Sequence, residues 1–437
     1  MKKNFLFSFL LLFLVLFANL LVQAQKSTEV RQVIIANGGK FEGTPPYSDY
    51  VTVESYNLST QAVTVFNTIY TQSVQDMVIN GNHAYVTAED SIVMYNIDTY
   101  QRVVAVKDSG VNKMAIYNDK LIITKQWPIG RFRVEILDAN NLSMIGLVDG
   151  IPGDCEGVAV FGDQAFVAVD SGYLGLEGHL AIINTSNWTL SNIVNFGPSA
   201  IGSYSVYAYG GYIFCVNRTP YGGANTGSIT RYNPANGTFN THVMDVNIGP
   251  GYGISGNLLY LGMSKSLGSY NLDTQLIVDT AIISFFGAAG SMEIHSAAVD
   301  YINDKLFTNI SNRAATINVG IVYNFAGDSL TSYATGINAD ACAIDFRTPT
   351  GINISSQDQD LTLYPNPVND YLGIITGTKS VLKEITIHDL TGRSVMTRPV
   401  AEGEKNFRIS VSDFSPGIYL ISFRTDQGIK VRKFVKR

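Results

Sequence analysis

Apolar and polar residues alternate along most of the chain, in short runs that Gly, Asn and Asp interrupt about every ten residues. Alternation with a period of two predicts β-strands, because successive side chains of a strand point to opposite faces. One phrase recurs: an apolar run, a Gly, Asn or Asp turn and a second apolar run, which is typical of a β-hairpin. Its instances are MVINGNHAYVT from residue 77, MAIYNDKLIIT from 114, VAVFGDQAFVAV from 158, VYAYGGYIFCV from 206, YGISGNLLYLG from 252 and AAVDYINDKLFTNI from 297.

Each hairpin phrase is followed by a loop, a third apolar run, a turn such as NIDTYQR or NLDTQLI, and a fourth run. Four predicted strands in each repeat of about 45 residues are typical of a β-propeller. Six complete units lie between Met77 and Ile337. The chain is therefore predicted to be all-β, with a propeller at residues 27–349.

The seventh sheet of this propeller is predicted to contain both ends of the domain. Residues 31–69 hold only three predicted strands, and they carry the same turn, NLSTQAV. The run DACAIDF, residues 340–346, predicts one isolated strand that begins like the first strand of a unit. Joining it to the N-terminal strands completes a seven-bladed propeller and removes an open sheet edge.

The remaining segments are predicted to serve export. Residues 1–24 have the pattern of a signal peptide: Lys2 and Lys3 precede an apolar run, and Ala24 supplies the small residue before a cleavage site. No Cys follows that run, which disfavours a lipid anchor, and no later segment reaches ~20 apolar residues, so we expect no transmembrane segment in the mature chain. Residues 350–360 are predicted to be a linker, and residues 361–437 a small immunoglobulin-like β-sandwich.

Four motifs of this last segment resemble a known family. They are YPNPV at 364–368, DLTGR at 389–393, SPGIY at 415–419 and the basic end at 433–436. The segment resembles the type A C-terminal sorting domain of the type IX secretion system of Bacteroidota. That resemblance implies that the type IX machinery is a partner, that the protein is secreted or attached to the outer cell surface, and that cleavage occurs near residues 355–360.

Blade count and repeat pattern also resemble the YncE-like or surface-layer-type propellers of secreted and cell-surface bacterial proteins. This resemblance implies the fold and leaves the ligand open, because one fold hosts many functions.

Composition narrows the classes of partner. The net charge is -6 and only 15% of residues are charged, which argues against binding to nucleic acid. The cysteines, Cys155, Cys215 and Cys342, lack the spacing of a zinc site and are interpreted as small buried apolar residues. The sequence contains neither HExxH nor GxSxG, so no metalloprotease or hydrolase motif is present.

The predicted ligand site lies on the face that carries the long loops and the starts of the innermost strands. Residues that enter the innermost strands form a predicted inner ring: Asp76, Lys113, Glu156, Tyr204, Tyr252, His295 and Asp340. The long loops add Trp127, Tyr173, Arg218, Tyr221 and Arg313. Such a ring could hold a polar ligand, Ca²⁺ through Asp76, Glu156 and Asp340, or only water.

Three functions remain open from the sequence. The leading interpretation is a non-catalytic protein that binds a glycan, a small nutrient or a protein partner outside the cell. The first alternative is a metal-dependent lactonase-like or hydrolase-like propeller enzyme, for which the ring supplies carboxylates without a fixed geometry. The second alternative is a structural adhesion module.

Overall fold

A computed structural model describes residues 28–43, 46–126, 132–170, 177–218, 226–264, 266–283, 292–312, 317–347, 361–376, 382–389, 394–400, 406–425 and 428–437. The predicted signal peptide and linker lie outside these ranges. The contacts divide the chain into two units, one of which is Thr28–Arg347; residues 361–437 belong to the other. Within the described ranges, no helix is long and apolar enough to span a bilayer.

The described residues of the unit Thr28–Arg347 form strands and one 3-10 helix, Pro198–Ala200. The strands are β1 (Glu29–Asn37), β2 (Val51–Asn57), β3 (Val63–Ile69), β4 (Asp76–Asn80), β5 (His83–Ala88), β6 (Ser91–Asn96), β7 (Gln101–Lys107), β8 (Val111–Tyr117), β9 (Lys120–Lys125), β10 (Val134–Asp138), β11 (Met144–Val148), β12 (Asp154–Phe161), β13 (Gln164–Asp170), β14 (Gly178–Asn184), β15 (Thr189–Gly197), β16 (Ser203–Tyr209), β17 (Tyr212–Asn217), β18 (Ser228–Tyr232), β19 (Phe239–Val243), β20 (Ile248–Ser255), β21 (Leu258–Met263), β22 (Ser266–Asn271), β23 (Leu276–Ile283), β24 (Met292–Asp300), β25 (Lys305–Asn312), β26 (Asn318–Asn324), β27 (Ser329–Ala334) and β28 (Ala341–Arg347).

These strands form four-stranded antiparallel sheets. Six sheets each take four consecutive strands, namely β4–β7, β8–β11, β12–β15, β16–β19, β20–β23 and β24–β27. A further sheet has the order β28-β1-β2-β3. Its pairing places Ala341 opposite Ala36 and Arg347 opposite Glu29. The DACAIDF run therefore supplies the missing strand of the N-terminal sheet, as predicted from the sequence.

The first strands of successive sheets pack side by side. Each of β4, β8, β12, β16, β20 and β24 contacts the first strand of the following sheet, and β28 contacts β4, which closes the circuit. The core lies between neighbouring sheets: Ile122 and Val134 of one sheet pack with Val167 and Ala181 of the next. A closed circuit of four-stranded sheets is a β-propeller-like fold.

A repeated turn connects the third and fourth strands of several sheets. In the NIDTY turn, Asn96 Oδ1 accepts hydrogen bonds from the backbone N–H groups of Asp98 (3.0 Å) and Thr99 (3.1 Å). Asn57 and Asn271 make the same two bonds in the NLSTQ and NLDTQ turns. An Asn side chain that imitates a backbone turn is the physical reason for this recurring motif.

Buried polar groups tie the last strand to the first sheets. The Gln32 amide donates to the Ile97 carbonyl (2.9 Å) and to Asp345 (3.1 Å), and it accepts from Ser55 (2.6 Å) and Tyr100 (2.9 Å). Asp345 is fully buried. Because the bond from Gln32 to Asp345 joins residues 313 positions apart, it stabilises the closure of the circuit.

The second unit is described over two sheets. Its strands are β29 (Leu361–Tyr364), β30 (Tyr371–Thr376), β31 (Leu382–His388), β32 (Ser394–Pro399), β33 (Asn406–Ser410), β34 (Gly417–Thr425) and β35 (Gly428–Lys436). One sheet has the order β29-β30-β33 and the other β32-β31-β34-β35. Both contribute to one core, in which Ile374 and Phe407 of the first sheet pack with Ile385 and Phe423 of the second.

Residues of two of the sequence motifs make hydrogen bonds within this unit. Asn366 of the YPNPV motif accepts a hydrogen bond from the Val435 backbone N–H (2.9 Å), and the Val368 N–H donates to the Val435 carbonyl (2.8 Å). In the SPGIY motif, the Tyr419 hydroxyl donates to the Ser415 carbonyl (2.9 Å). The first motif is thus held against the basic last strand.

Candidate functional site

A cavity of about 290 Å³ lies among the first strands of the sheets in the unit Thr28–Arg347. It is lined by six of the seven residues of the predicted inner ring: Asp76, Lys113, Tyr204, Tyr252, His295 and Asp340. The seventh, Glu156, is buried beside it, and its neighbour Gly157 lines the cavity. The structure therefore brings together the ring residues that the sequence placed at the starts of innermost strands.

β-Bulges occur at the ring residues of five first strands. Tyr204, Tyr252 and His295 are each the extra residue of a register shift in β16, β20 and β24. In β8, Asn112 and Lys113 together lie opposite one residue of the partner strand, and β12 has the same arrangement at Glu156 and Gly157. A bulge takes a residue out of the hydrogen-bonded ladder and re-aims its side chain, which accounts for the shared orientation of the ring.

Side chains of the second strands satisfy the backbone groups that a bulge exposes. The hydroxyl of Thr124, which is fully buried, accepts a hydrogen bond from the Lys113 backbone N–H (2.9 Å) and donates to the Lys113 carbonyl (3.1 Å). A buried N–H or carbonyl without a partner would cost free energy comparable to a lost hydrogen bond. The bulge at Lys113 is therefore a stable element of the wall.

Lys113 is the cationic centre of the ring. Its ammonium donates to the Gln75 carbonyl and lies 5.5 Å from the centre of the Tyr204 ring. Burial disfavours the ammonium, but Tyr204, Asp76 and Glu156 outweigh it, so that the pKa of Lys113 lies above its ordinary value. Lys113 consequently stays charged at neutral pH.

Two carboxylates accompany this lysine. Burial raises the pKa of Asp76, although Lys113 and the Met114 backbone N–H, which donates to Asp76 over 2.7 Å, oppose that shift. Burial also raises the pKa of Glu156, against the opposing effects of Asn112, Arg218 and Lys113. Asn112 donates to Glu156 over 2.8 Å. Acidic and basic groups thus alternate along β4, β8 and β12.

On the other side of β4 from β8, at β24 and just before β28, the ring carries an imidazole and a third carboxylate. His295 Nδ1 lies 2.8 Å from Asp340 Oδ1, and both side chains are partly buried. Gly38 closes over this pair, since a Cβ atom at that position would lie 2.4 Å from Asp340 Oδ2. Asp340 therefore fixes the orientation of the His295 ring, as a carboxylate does for a catalytic or metal-binding imidazole.

Several wall residues were missed in the sequence, among them three with polar or ionisable side chains. Tyr207, Ser205 and Cys342 line the cavity. Burial raises the pKa of Tyr207 well above its ordinary range, and burial raises the pKa of Cys342 to about 12. Cys155 and Cys215 are buried as expected, whereas the interpretation of Cys342 as buried is corrected: it is only half-buried, because it faces the cavity.

Of the loop residues in the predicted site, Arg218 can be placed. Its guanidinium lies 4.0 Å from the centre of the Tyr204 ring, so a second cation packs on that tyrosine. Trp127, Tyr173, Tyr221 and Arg313 lie outside the described residues. Their part in the site stays a prediction.

The predicted Ca²⁺ site receives no support from the geometry. In the described ranges, no group of three His, Cys, Asp or Glu side chains could hold a metal ion, and Asp76, Glu156 and Asp340 are no exception. The Lys113 ammonium also places a positive charge near Asp76 and Glu156, which disfavours a second cation there.

Comparison with known proteins identifies the C-terminal segment. Residues 362–437 match the family described as the secretion system C-terminal sorting domain. The match shows a type IX sorting domain and implies export to the medium or the outer cell surface. No curated protein is significantly similar to the chain.

Several solved structures are similar at low identity. The computationally designed Ika8 protein is 11% identical, with a TM-score of 0.46, over 81% of this chain and 96% of the other. The extracellular domain of BT4673 from B. thetaiotaomicron is 9% identical, with a TM-score of 0.44, over 94% of this chain and 59% of that one. BamB from Moraxella catarrhalis is 9% identical, with a TM-score of 0.42, over 80% and 97%. Likeness at this level says nothing about a ligand or an activity.

Proposed function

We propose that this protein is an extracellular binding protein: a seven-bladed β-propeller of the YncE-like or surface-layer type that holds a polar ligand in its central cavity. A signal peptide at residues 1–24 and an immunoglobulin-like sorting domain recognised by the type IX machinery export it. The loop-decorated face, with Trp127, Tyr173 and Tyr221, admits the ligand.

One observation carries the proposal. Bulged strands from successive sheets aim Lys113, Tyr204, Tyr252 and His295 into one cavity, together with two aspartates. Bulges interrupt pairing and cluster next to functional sites, and burying charges costs free energy. A chain that only needed to close a circuit of sheets would be more stable with apolar residues at these positions.

The mixture of groups indicates the kind of ligand. Ammonium and guanidinium groups donate hydrogen bonds, ionised carboxylates accept them, and tyrosines do both. A small polar molecule that carries donors and acceptors, such as a sugar or another polar nutrient, fits this lining better than a simple anion or cation. The cavity volume of about 290 Å³ is close to the lower end of small-molecule sites.

Native mass spectrometry of the exported protein, purified from culture supernatant, tests this function. We expect a small molecule that is retained under native conditions and lost after mild denaturation. The His295→Ala variant should retain at least tenfold less of it, whereas the matched control His83→Ala, a histidine outside the cavity lining, should retain the wild-type amount. A bare mass for the wild type would contradict the proposal and favour an adhesion role.

The hydrolase alternative rests on the His295–Asp340 pair, because a carboxylate that orients an imidazole supports general-base catalysis. Turnover of simple γ-lactones by the exported protein, abolished in His295→Ala, would favour a hydrolase. Loss of that turnover with a chelator would indicate the metal-dependent enzyme, and its persistence would indicate general-base catalysis by His295 without a metal. Binding without turnover would favour the proposed function.

A further inference from the structure

A second cavity, of about 320 Å³, adjoins the ring and differs from it in chemistry. Its wall contains only apolar and aromatic side chains, glycine and Cys342; it includes Ile254, Ala298, Val299, Tyr301, Ile344 and Phe346. No charged or amide side chain lines it. Because most of this lining is apolar, removing an apolar group from water into the space is favourable.

The two cavities follow one another along the same three strands. Tyr252, Ala297 and Cys342 line both of them. At β20, residues 250–252 line the first cavity and residues 252–254 line the second. The corresponding residues are 295–297 and 297–301 at β24 and the turn after it, and 340–342 and 342–346 at β28 and the residue before it. A displacement of two or three residues along a strand corresponds to about 7–10 Å. One molecule of modest length can therefore occupy both spaces.

The outer end of the apolar cavity is formed by an aromatic pair. The rings of Tyr301 and Phe346 lie 4.6 Å apart, and Tyr301 is 52% exposed. Tyr301 lies in the turn between β24 and β25, so its side chain contributes little to the core. Deeper in the cavity, Gly253 faces Val299. A Cβ atom added at Gly253 would lie 3.0 Å from the Val299 side chain. The cavity is thus narrow at Gly253 and bounded by aromatic rings at Tyr301.

We propose that the ligand is a small amphiphile, whose polar head is bound by the ring and whose short aliphatic tail occupies the apolar cavity. This inference rests on the proposed function and names the class of its ligand. A head with both donors and acceptors matches Lys113, His295 and the carboxylates. A tail in the apolar cavity buries methylene groups that a purely polar ligand lacks.

Isothermal titration of the exported protein with methyl, butyl, hexyl and octyl β-D-glucosides, below their micelle concentrations, tests the inference. Each methylene group buried in the apolar cavity should raise affinity by roughly fourfold, until the cavity is filled. Binding that is equal for all chain lengths would overturn the amphiphile while leaving the proposed function intact. Absence of binding at every chain length would also overturn the amphiphile proposal. The proposed function is then tested separately, by whether mass spectrometry detects a retained ligand.

Variants at the aromatic pair locate the tail. Tyr301→Ser and Phe346→Ser should reduce the affinity for octyl glucoside severalfold and leave that for methyl glucoside unchanged. Phe161→Ser is the matched control, because Phe161 is a 42% exposed aromatic at the corresponding hairpin of another sheet and lines neither cavity. A chain-length effect that persists in both variants would exclude the apolar cavity as the tail site.

Discussion

Replacing Lys113 by Met removes the charge that holds the ring together, and its effect can be worked out from the contacts. The variant leaves Asp76 and Glu156 without the ammonium group that acts electrostatically on both. Removing one partner of a buried ion pair in direct contact costs about 3–5 kcal/mol, and these longer-range interactions correspond to the lower end of that range. The lost cation–π contact with Tyr204 adds about 0.5–1 kcal/mol. We expect a loss of about 4 kcal/mol at pH 8.

That loss can be measured as a shift of the thermal midpoint. Unfolding entropy is about 2.1 cal/mol/K per residue, so for the unit that spans residues 28–347 a loss of 4 kcal/mol lowers Tm by about 6 °C. At pH 5 the difference from the wild type should shrink, because carboxylates with raised pKa values take up protons and no longer need the cation.

Two further variants make the experiment specific. Lys107→Met removes a lysine whose side chain is 74% exposed and paired with Asp90, and it should cost less than about 1 kcal/mol. Adding Glu156→Gln to Lys113→Met should recover part of the lost stability, because it removes one of the two buried charges that Lys113 stabilises. A Lys113→Met midpoint within 1 °C of the wild type, or a shift that does not change with pH, would refute the electrostatic account of the ring.

Other predictions concern pH, close approach and closure. The folded-state pKa of Asp76 is raised, so its contribution to stability is fully present below the ordinary value of 3.8 and is lost as pH rises through the raised pKa. Asp76→Asn should therefore flatten the dependence of Tm on pH above about pH 4, and an unchanged slope would contradict this. Gly157→Ala should destabilise the protein by about 1–3 kcal/mol because the added Cβ would lie 2.5 Å from the Tyr204 carbonyl oxygen. In Gly251→Ala the nearest neighbours of the added Cβ are side-chain atoms of Tyr207, so Tm should fall less than in Gly157→Ala while ligand retention weakens. Equal decreases of Tm in the two variants would contradict this difference between a backbone and a side-chain contact. Gln32→Leu removes four hydrogen bonds, three of them buried, and should cost about 3 kcal/mol by calorimetry; a change under about 1 kcal/mol would be the contrary result.

Much of this fold could be predicted because its information is local. Alternation identifies the strands, and Asn or Gly turns mark the hairpins. With four strands to each unit, the N-terminal segment lacks one strand, which predicts the run at residues 341–346 as its partner; the structure pairs β28 with β1. That pairing spans about 300 residues, yet it followed from the repeat and not from a long-range signal.

The site was only partly predictable, since its walls depend on register. Position at the start of a first strand identified Lys113 and His295, but the bulges that aim them appear only when two strands are paired. Glycine within an apolar run, at Gly157 and Gly251, was the available signal for such bulges. Nothing in the local pattern distinguishes Cys342 from the buried Cys155. The apolar cavity arises from three strands of different sheets, so no single segment encodes it.

The central claim is that the ring around Lys113 and His295 binds a ligand. A crystal structure of the exported protein, purified without adding any ligand, tests it most directly. We expect electron density for a small molecule in contact with Lys113, Tyr204 and His295. A cavity that contains only ordered water, or a ligand bound elsewhere on the unit, would contradict it.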